Sequence, residues 1–283
     1  MRGTARAGVS TGETLSRPKG LVWLLIAIAF LYAAFLLLGP LVALIAGAFS
    51  RGLPPLVADL TSSDALHALK LTLLLAVSAT VVNLVFGVCC SLVLARDDFP
   101  FRRFLNGLVD LPFAVSPVIA GFMLVLLFGR NGWFEGLVNN LGIKVVFALP
   151  GMFLATTFIS LPFVIREVMP VLQYIGTDQE AAAYTLGASP CQTFWRVTIK
   201  RIRWALLYGV SLCFARAVGE FGAVLVVSGS VTGLTETSTL FIFRALDERN
   251  EVAAYGMALV LAALSFGLVL GIQAARRGGE GGQ

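Results

Sequence analysis

Two charges stand in this chain where hydrocarbon is expected. Arg216 and Glu220 interrupt an apolar run that begins at Trp204, and their four-residue spacing puts them on one helical face. At 1.5 Å per residue, Arg216 lies about 18 Å beyond Trp204, near the middle of a bilayer. An arginine at that depth costs about 2.5–3.5 kcal/mol on insertion scales and persists where it faces a bundle interior or water. A guanidinium there could line a polar path, and a carboxylate one turn away could neutralise it. Arg216, Glu220 and the adjoining Phe221 are therefore candidates for a substrate pathway or gate. The plainer alternative is a self-neutralising pair that glues helices. Asp110 reads as a carboxylate at a helix start, suited to that end of the dipole. Arg166 and Glu167 close another apolar run and read as interfacial anchors or as a brace for the loop that follows. Bond-making chemistry has little to work with. His67 is the only histidine, and no G-x-x-x-x-G-K-S/T phosphate loop occurs. Cys89, Cys90, Cys191 and Cys213 lack metal-site spacing and read as small buried hydrophobes.

The second candidate is the polar stretch 176–203. Thr177 and Glu180 have the spacing of a capping box, with Asp178 in the first turn where the dipole favours an anion. Gly187 supplies the left-handed residue that ends a helix. Ser189, Pro190 and Gln192 then repeat the start signal. The pattern predicts a short helix, a sharp break and a second helix leading to Trp204. A nine-residue helix is marginal alone, since isolated helices need about 12–15 residues. Either its own protein holds it, or it docks on a soluble partner.

The elements that position these residues follow from composition. The chain has 283 residues, 58% hydrophobic and 13% charged, with mean hydropathy +0.87. Soluble domains carry about 25% charged residues, so a soluble globule is excluded. The net charge of +5 sits at the ends of apolar runs, not on one face, which argues against nucleic acid and for a lipid bilayer. Six runs are long enough to cross about 30 Å of hydrocarbon: residues 21–49, 71–95, 111–129, 145–165, 204–227 and 252–275. At these lengths only helices satisfy their backbone. The fold class is an all-α, polytopic bundle of about six transmembrane helices, 21–275, between tails 1–20 and 276–283. With the N-terminus inside, 14 of the 21 Lys and Arg residues fall in inner segments and 5 in outer ones. Both termini and the 176–203 loop are then cytoplasmic. The outer segment with Asp247, Glu248, Arg249 and Glu251 reads as a solvated rim.

Glu-Ala-Ala at 180–182, then Gly187, then Ile199 resembles the cytoplasmic coupling loop of ABC importer membrane subunits. Glu180 lies one residue earlier than the family's usual glutamate, a position held here by Ala181, and one residue is a rotation of about 100°. The run Arg216-Ala-Val-Gly-Glu-Phe-Gly-Ala223 resembles the fifth-span signature of sulfate and molybdate importer subunits. Asp110–Pro117, Leu161–Glu167 and Arg203–Gly209 agree, and together they are most similar to W-type permeases of sulfate/thiosulfate importers. The resemblance implies a type I ABC importer permease fold with its core over about 66–275. It also implies Thr177, Asp178, Glu180, Ala181, Ala182 and Gly187 at an ATPase contact, and transport of sulfate or thiosulfate, with molybdate or another tetrahedral oxyanion as the alternative. Implied partners are a paralogous permease subunit, two ATP-binding subunits and an extracytoplasmic sulfate-binding protein. ATP and Mg would be bound by the ATPase, with no cofactor or metal in this chain, which is not itself an enzyme. The resemblance places the chain in the bacterial cytoplasmic membrane. A stand-alone secondary transporter would show repeated half-bundles, and none is found. A membrane enzyme would need a clustered acid–base, metal or nucleophile set.

Overall fold

The computed structural model describes residues 19–280, and these are helical throughout apart from turns, with no strand among them. The tails expected at 1–20 and 276–283 lie outside the described residues up to 18 and from 281. Between those limits both are helical, because Lys19 and Gly20 open the first helix and the last runs on to Glu280. Sequence reading found no second domain. The chain nevertheless divides into two units, the first helix through Ala46 and everything from Gly47 onward.

The first unit is α1 (Lys19–Ala48), which continues through Pro40. Its large side chains, such as Phe30, Leu31 and Phe35, are exposed, a surface suited to a hydrocarbon solvent. In the second unit, α2 (Leu53–Leu60) starts on Pro54 and Pro55 after Gly52 at φ 86°. Next comes α3 (Ser63–Arg96), whose cap Ser62 accepts from the Ala65 N–H at 3.3 Å. Its 34 residues reach about 50 Å, more than a bilayer requires.

The run expected as one span over 111–129 is two helices, α4 (Arg102–Ala114) and α5 (Pro117–Phe128), bent by 111°. Pro117 is the cause. The residue before a proline is pushed out of the helical region, and Val115 and Ser116 take ψ 132° and 137°. Asp110 therefore lies inside α4, not at a helix start. After α6 (Glu135–Asn140), α7 (Leu149–Ile175) begins on Pro150 and runs ten residues past the apolar limit expected at 165, through Pro162 and Pro170.

Beyond it lie α8 (Asp178–Thr185), α9 (Pro190–Thr193), a π-helical turn over Phe194–Thr198, and α10 (Ile199–Val218). A 52° bend leads into α11 (Gly222–Ser228), followed by α12 (Ser238–Asp247) and α13 (Glu251–Glu280). By length and composition, four helices can cross a membrane singly, and the two bent pairs bring the number to six.

The centre of the second unit is the packing of α3, α7 and α10. Asn83 of α3, fully buried, donates to the Thr157 carbonyl at 3.0 Å and to Ser160 Oγ at 2.9 Å. Small residues let the helices approach closely, as in membrane bundles generally. A Cβ on Gly87 would meet Val164 at 2.8 Å, and one on Gly121 would meet the Ala223 carbonyl at 2.8 Å and Val226 at 2.9 Å. Gly107 has open space around it.

Gly121→Val should accordingly destabilise the purified protein by about 1–3 kcal/mol through overpacking. Gly107→Ala, in an open helical position, should stabilise by up to about 1 kcal/mol. Thermal unfolding in detergent reads both. Equal effects of the two substitutions would refute the close α5–α11 approach.

A tethered surface helix and three buried ion pairs

The helix α8 forms where expected, but its cap does not. Thr177 sits in a helical conformation and makes no side-chain cap bond. Glu180, the expected box partner, turns inward instead. It is buried, pairs with Arg96 at the end of α3 and accepts from the Thr198 hydroxyl in the π-helical turn. The competing contact wins because Arg96 brings a full positive charge and Thr198 a second donor to the carboxylate, against one backbone N–H in the box. The second box is present as read: Ser189 Oγ accepts from the Gln192 N–H, and the Gln192 side chain accepts from the Ser189 N–H. Gly187 ends the turn at φ 83° and Gly176 opens the segment at φ 60°.

With Glu180 turned in, the rest of α8 faces outward. Thr177, Asp178, Ala181, Ala182 and Gly187 are exposed, and Leu186 is 88% exposed. Five of the residues expected at a partner contact thus share an open surface, while Glu180 holds them to the bundle. Its one-residue offset is what aims it inward.

The second site is the break between α10 and α11. Arg216 Nη2 meets Glu220 Oε2 at 2.8 Å, and Glu220 Oε1 accepts from the Ala223 N–H at 3.0 Å. One buried carboxylate therefore neutralises the arginine and caps the helix after the break. Thr239 at the start of α12 donates to the Glu220 carbonyl at 2.7 Å, and Phe221 packs against Phe243 with ring centroids 5.5 Å apart. Arg216, Glu220 and Phe221 are brought together as read.

Arg166, read as an interfacial anchor or a brace for the following loop, binds α4. Its Nε and Nη2 reach the two oxygens of Asp110 at 2.7 and 2.5 Å, and Nη1 reaches Asn106 Oδ1 at 3.0 Å. This fork ties α7 to α4. Glu167 lies against α10, its Cβ 3.2 Å from where a Gly209 Cβ would stand. Of the cysteines, Cys90 and Cys213 are buried, but Cys89 and Cys191 are exposed. Among the described residues no group of three or more metal-ligating side chains occurs.

One cluster was missed. Arg244 of α12 binds buried Glu236 through Nε at 2.6 Å and Nη2 at 3.2 Å, and Glu248 through Nη1 at 3.1 Å. The Glu236 hydrogen bond, more than any other contact, raises the Arg244 pKa above its ordinary value. Glu236 lies outside every apolar run, in a loop whose local sequence gives no sign of burial. Only the spacing of Arg244 and Glu248, four residues apart on α12, could have signalled part of it.

A polytopic helical bundle that presents a short tethered helix at one end is the architecture of an importer's membrane component. The chain belongs to the family described as binding-protein-dependent transport system inner membrane component, which matches residues 84–277, and so is an ABC importer permease subunit. Among its relatives, a chloroplast protein of Chlamydomonas reinhardtii named sulfate permease 2 is 49% identical over 86% of this chain, which spans 66% of that protein's length. The sulfate transport system permease proteins CysW of Synechocystis and Escherichia coli are 47% and 46% identical, over 89% and 84% of this chain and 92% and 82% of theirs. The crystal structure of a bacterial ABC transporter importing the polysaccharide alginate aligns over 92% of this chain and 96% of its own, with TM-score 0.76 at 17% identity. That likeness concerns the fold alone.

Arg166→Ala and Asp110→Ala should each lower the unfolding midpoint, and together should cost less than their sum, with an interaction energy of about 0.5–3 kcal/mol. A double-mutant cycle on thermal stability measures it. Strict additivity would show that the fork carries no energy.

Proposed function

We propose that this chain is the membrane-spanning subunit that moves sulfate, or thiosulfate, through an ATP-driven importer. The carrying observation is α8: a helix too short to stand alone, fastened by a buried carboxylate, with its remaining surface open. That is the form of a docking element for a soluble ATPase. ATP and Mg belong to that ATPase, and this chain contributes no cofactor site and no hydrolytic chemistry. Both termini and α8 are cytoplasmic, in keeping with the cation distribution. The full assembly pairs this chain with a paralogous permease, two ATPase subunits and an extracytoplasmic binding protein. The substrate follows from the relatives named for sulfate.

A divalent anion gains nothing from hydrocarbon and needs a polar route. Arg216 supports that route, because its side chain is partly exposed while Glu220 beneath it is buried. Closure of the ATPase pair displaces α8 and opens the bundle outward. Hydrolysis returns it, and the anion leaves inward.

In proteoliposomes of the complete complex, Arg216→Ala should reduce labelled sulfate uptake at least tenfold while all subunits still copurify. Normal uptake would remove the pathway role. Uptake of thiosulfate and molybdate by the wild type separates the oxyanions. Asp178→Lys combined with Leu186→Asp should release the ATPase on purification, and an ATPase retained in full would sink the docking reading.

A further inference from the structure

The tether on α8 joins a longer mechanical line. Of the three central helices, α3 alone is free of interruptions. α7 carries Pro162 and Pro170, and α10 rests on the π-helical turn, features that bend helices. The last residue of α3 and a residue in its first third are joined to different sites. Its last residue, Arg96, holds Glu180 of α8. About 36 Å away, at 1.5 Å per residue, buried Thr72 accepts from the Ser238 N–H at 2.8 Å, at the first residue of α12. The next residue, Thr239, donates to the Glu220 carbonyl, and Glu220 holds Arg216. Between those two residues Asn83 crosses to α7, so the helix is braced along its length. Arg96 also keeps Nε and Nη2 buried without a hydrogen-bond partner.

Resting on the docking and gate reading above, we infer that α3 is the rigid rod that carries the displacement of α8 to the Arg216–Glu220 site. Arg96 is its lower joint and Thr72 its upper one. Both are positioning residues, acting through Glu180 and through Ser238. The physical requirement is an element with two discrete arrangements that both ends bias. A continuous helix joined to α8 at Arg96 and to α12 at Thr72 can serve as that element.

The test uses the whole complex with its binding protein and sulfate, and reads three quantities: copurified ATPase, ATP hydrolysis and uptake. Thr72→Val should keep the ATPase bound and hydrolysis within about threefold of wild type, while uptake falls at least tenfold; Arg96→Ala should lower uptake at least as far. The charge swap Arg96→Glu with Glu180→Arg should restore at least a third of the uptake. Because Thr72→Val preserves shape, it stands as evidence even if Arg96→Ala fails to fold. Wild-type uptake in Thr72→Val overturns the inference, as does a charge swap that stays as impaired as Arg96→Ala. Loss of the ATPase from Thr72→Val overturns it too, since that contact then serves assembly and not transmission. Failure of the docking reading is separate: it shows as ATPase retained by the Asp178→Lys, Leu186→Asp chain.

Discussion

A carboxylate withdrawn from water must be neutralised and hydrogen-bonded, or it will not stay charged. Glu180 is such a group, and much of its end of the bundle depends on how it is satisfied. The helix that bears it has eight residues, fewer than the length at which an isolated helix holds together, and no cap bond from Thr177. Its fixed position comes from the Glu180 contacts to Arg96 and Thr198, together with its packing on α9 and the π-helical turn. That turn has a clear use: the longer loop of a π-bulge lies where Thr198 meets the carboxylate. Membrane helix ends, a surface helix and a local irregularity are thus set by one buried charge.

What the sequence made legible was governed by local physics. The apolar runs announced their helices because nothing but hydrocarbon tolerates them. Gly187 and the Ser189–Gln192 box announced a break and a restart because both act within four residues. The failures came where a distant partner outbid a local one. Thr177 and Glu180 have the spacing of a capping box, yet Arg96, 84 residues away in the chain, takes the carboxylate. Asp110 looked like a helix-start residue because the apolar run begins there, but α4 had already started at Arg102 on polar residues. Arg166 was read as an interfacial anchor or a brace for the loop beside it, and local sequence could not show that its fork closes on α4. Pro112 and Pro117 look alike in sequence. Only the second bends the chain, because extended residues precede it.

Among the described residues the buried charged side chains are three glutamates: Glu180, Glu220 and Glu236. Each faces an arginine that keeps 20%, 28% or 30% of its side chain exposed. The asymmetry has a physical reason. A carboxylate is short and is buried or exposed as its Cα dictates, whereas an arginine can bury its stem and leave its head near water or headgroups. Pairing a deep acid with a snorkelling base lowers the desolvation cost relative to burying both ions. It also leaves guanidinium donors available for another acceptor. The three pairs stand at different places: where α8 meets α3, at the α10–α11 break, and on α12. A bundle sealed only by apolar packing would have one preferred arrangement. Latches made of partly exposed arginines let the guanidinium take a further acceptor while it still faces the buried carboxylate, and a transporter that must rearrange around an anion needs joints of that kind.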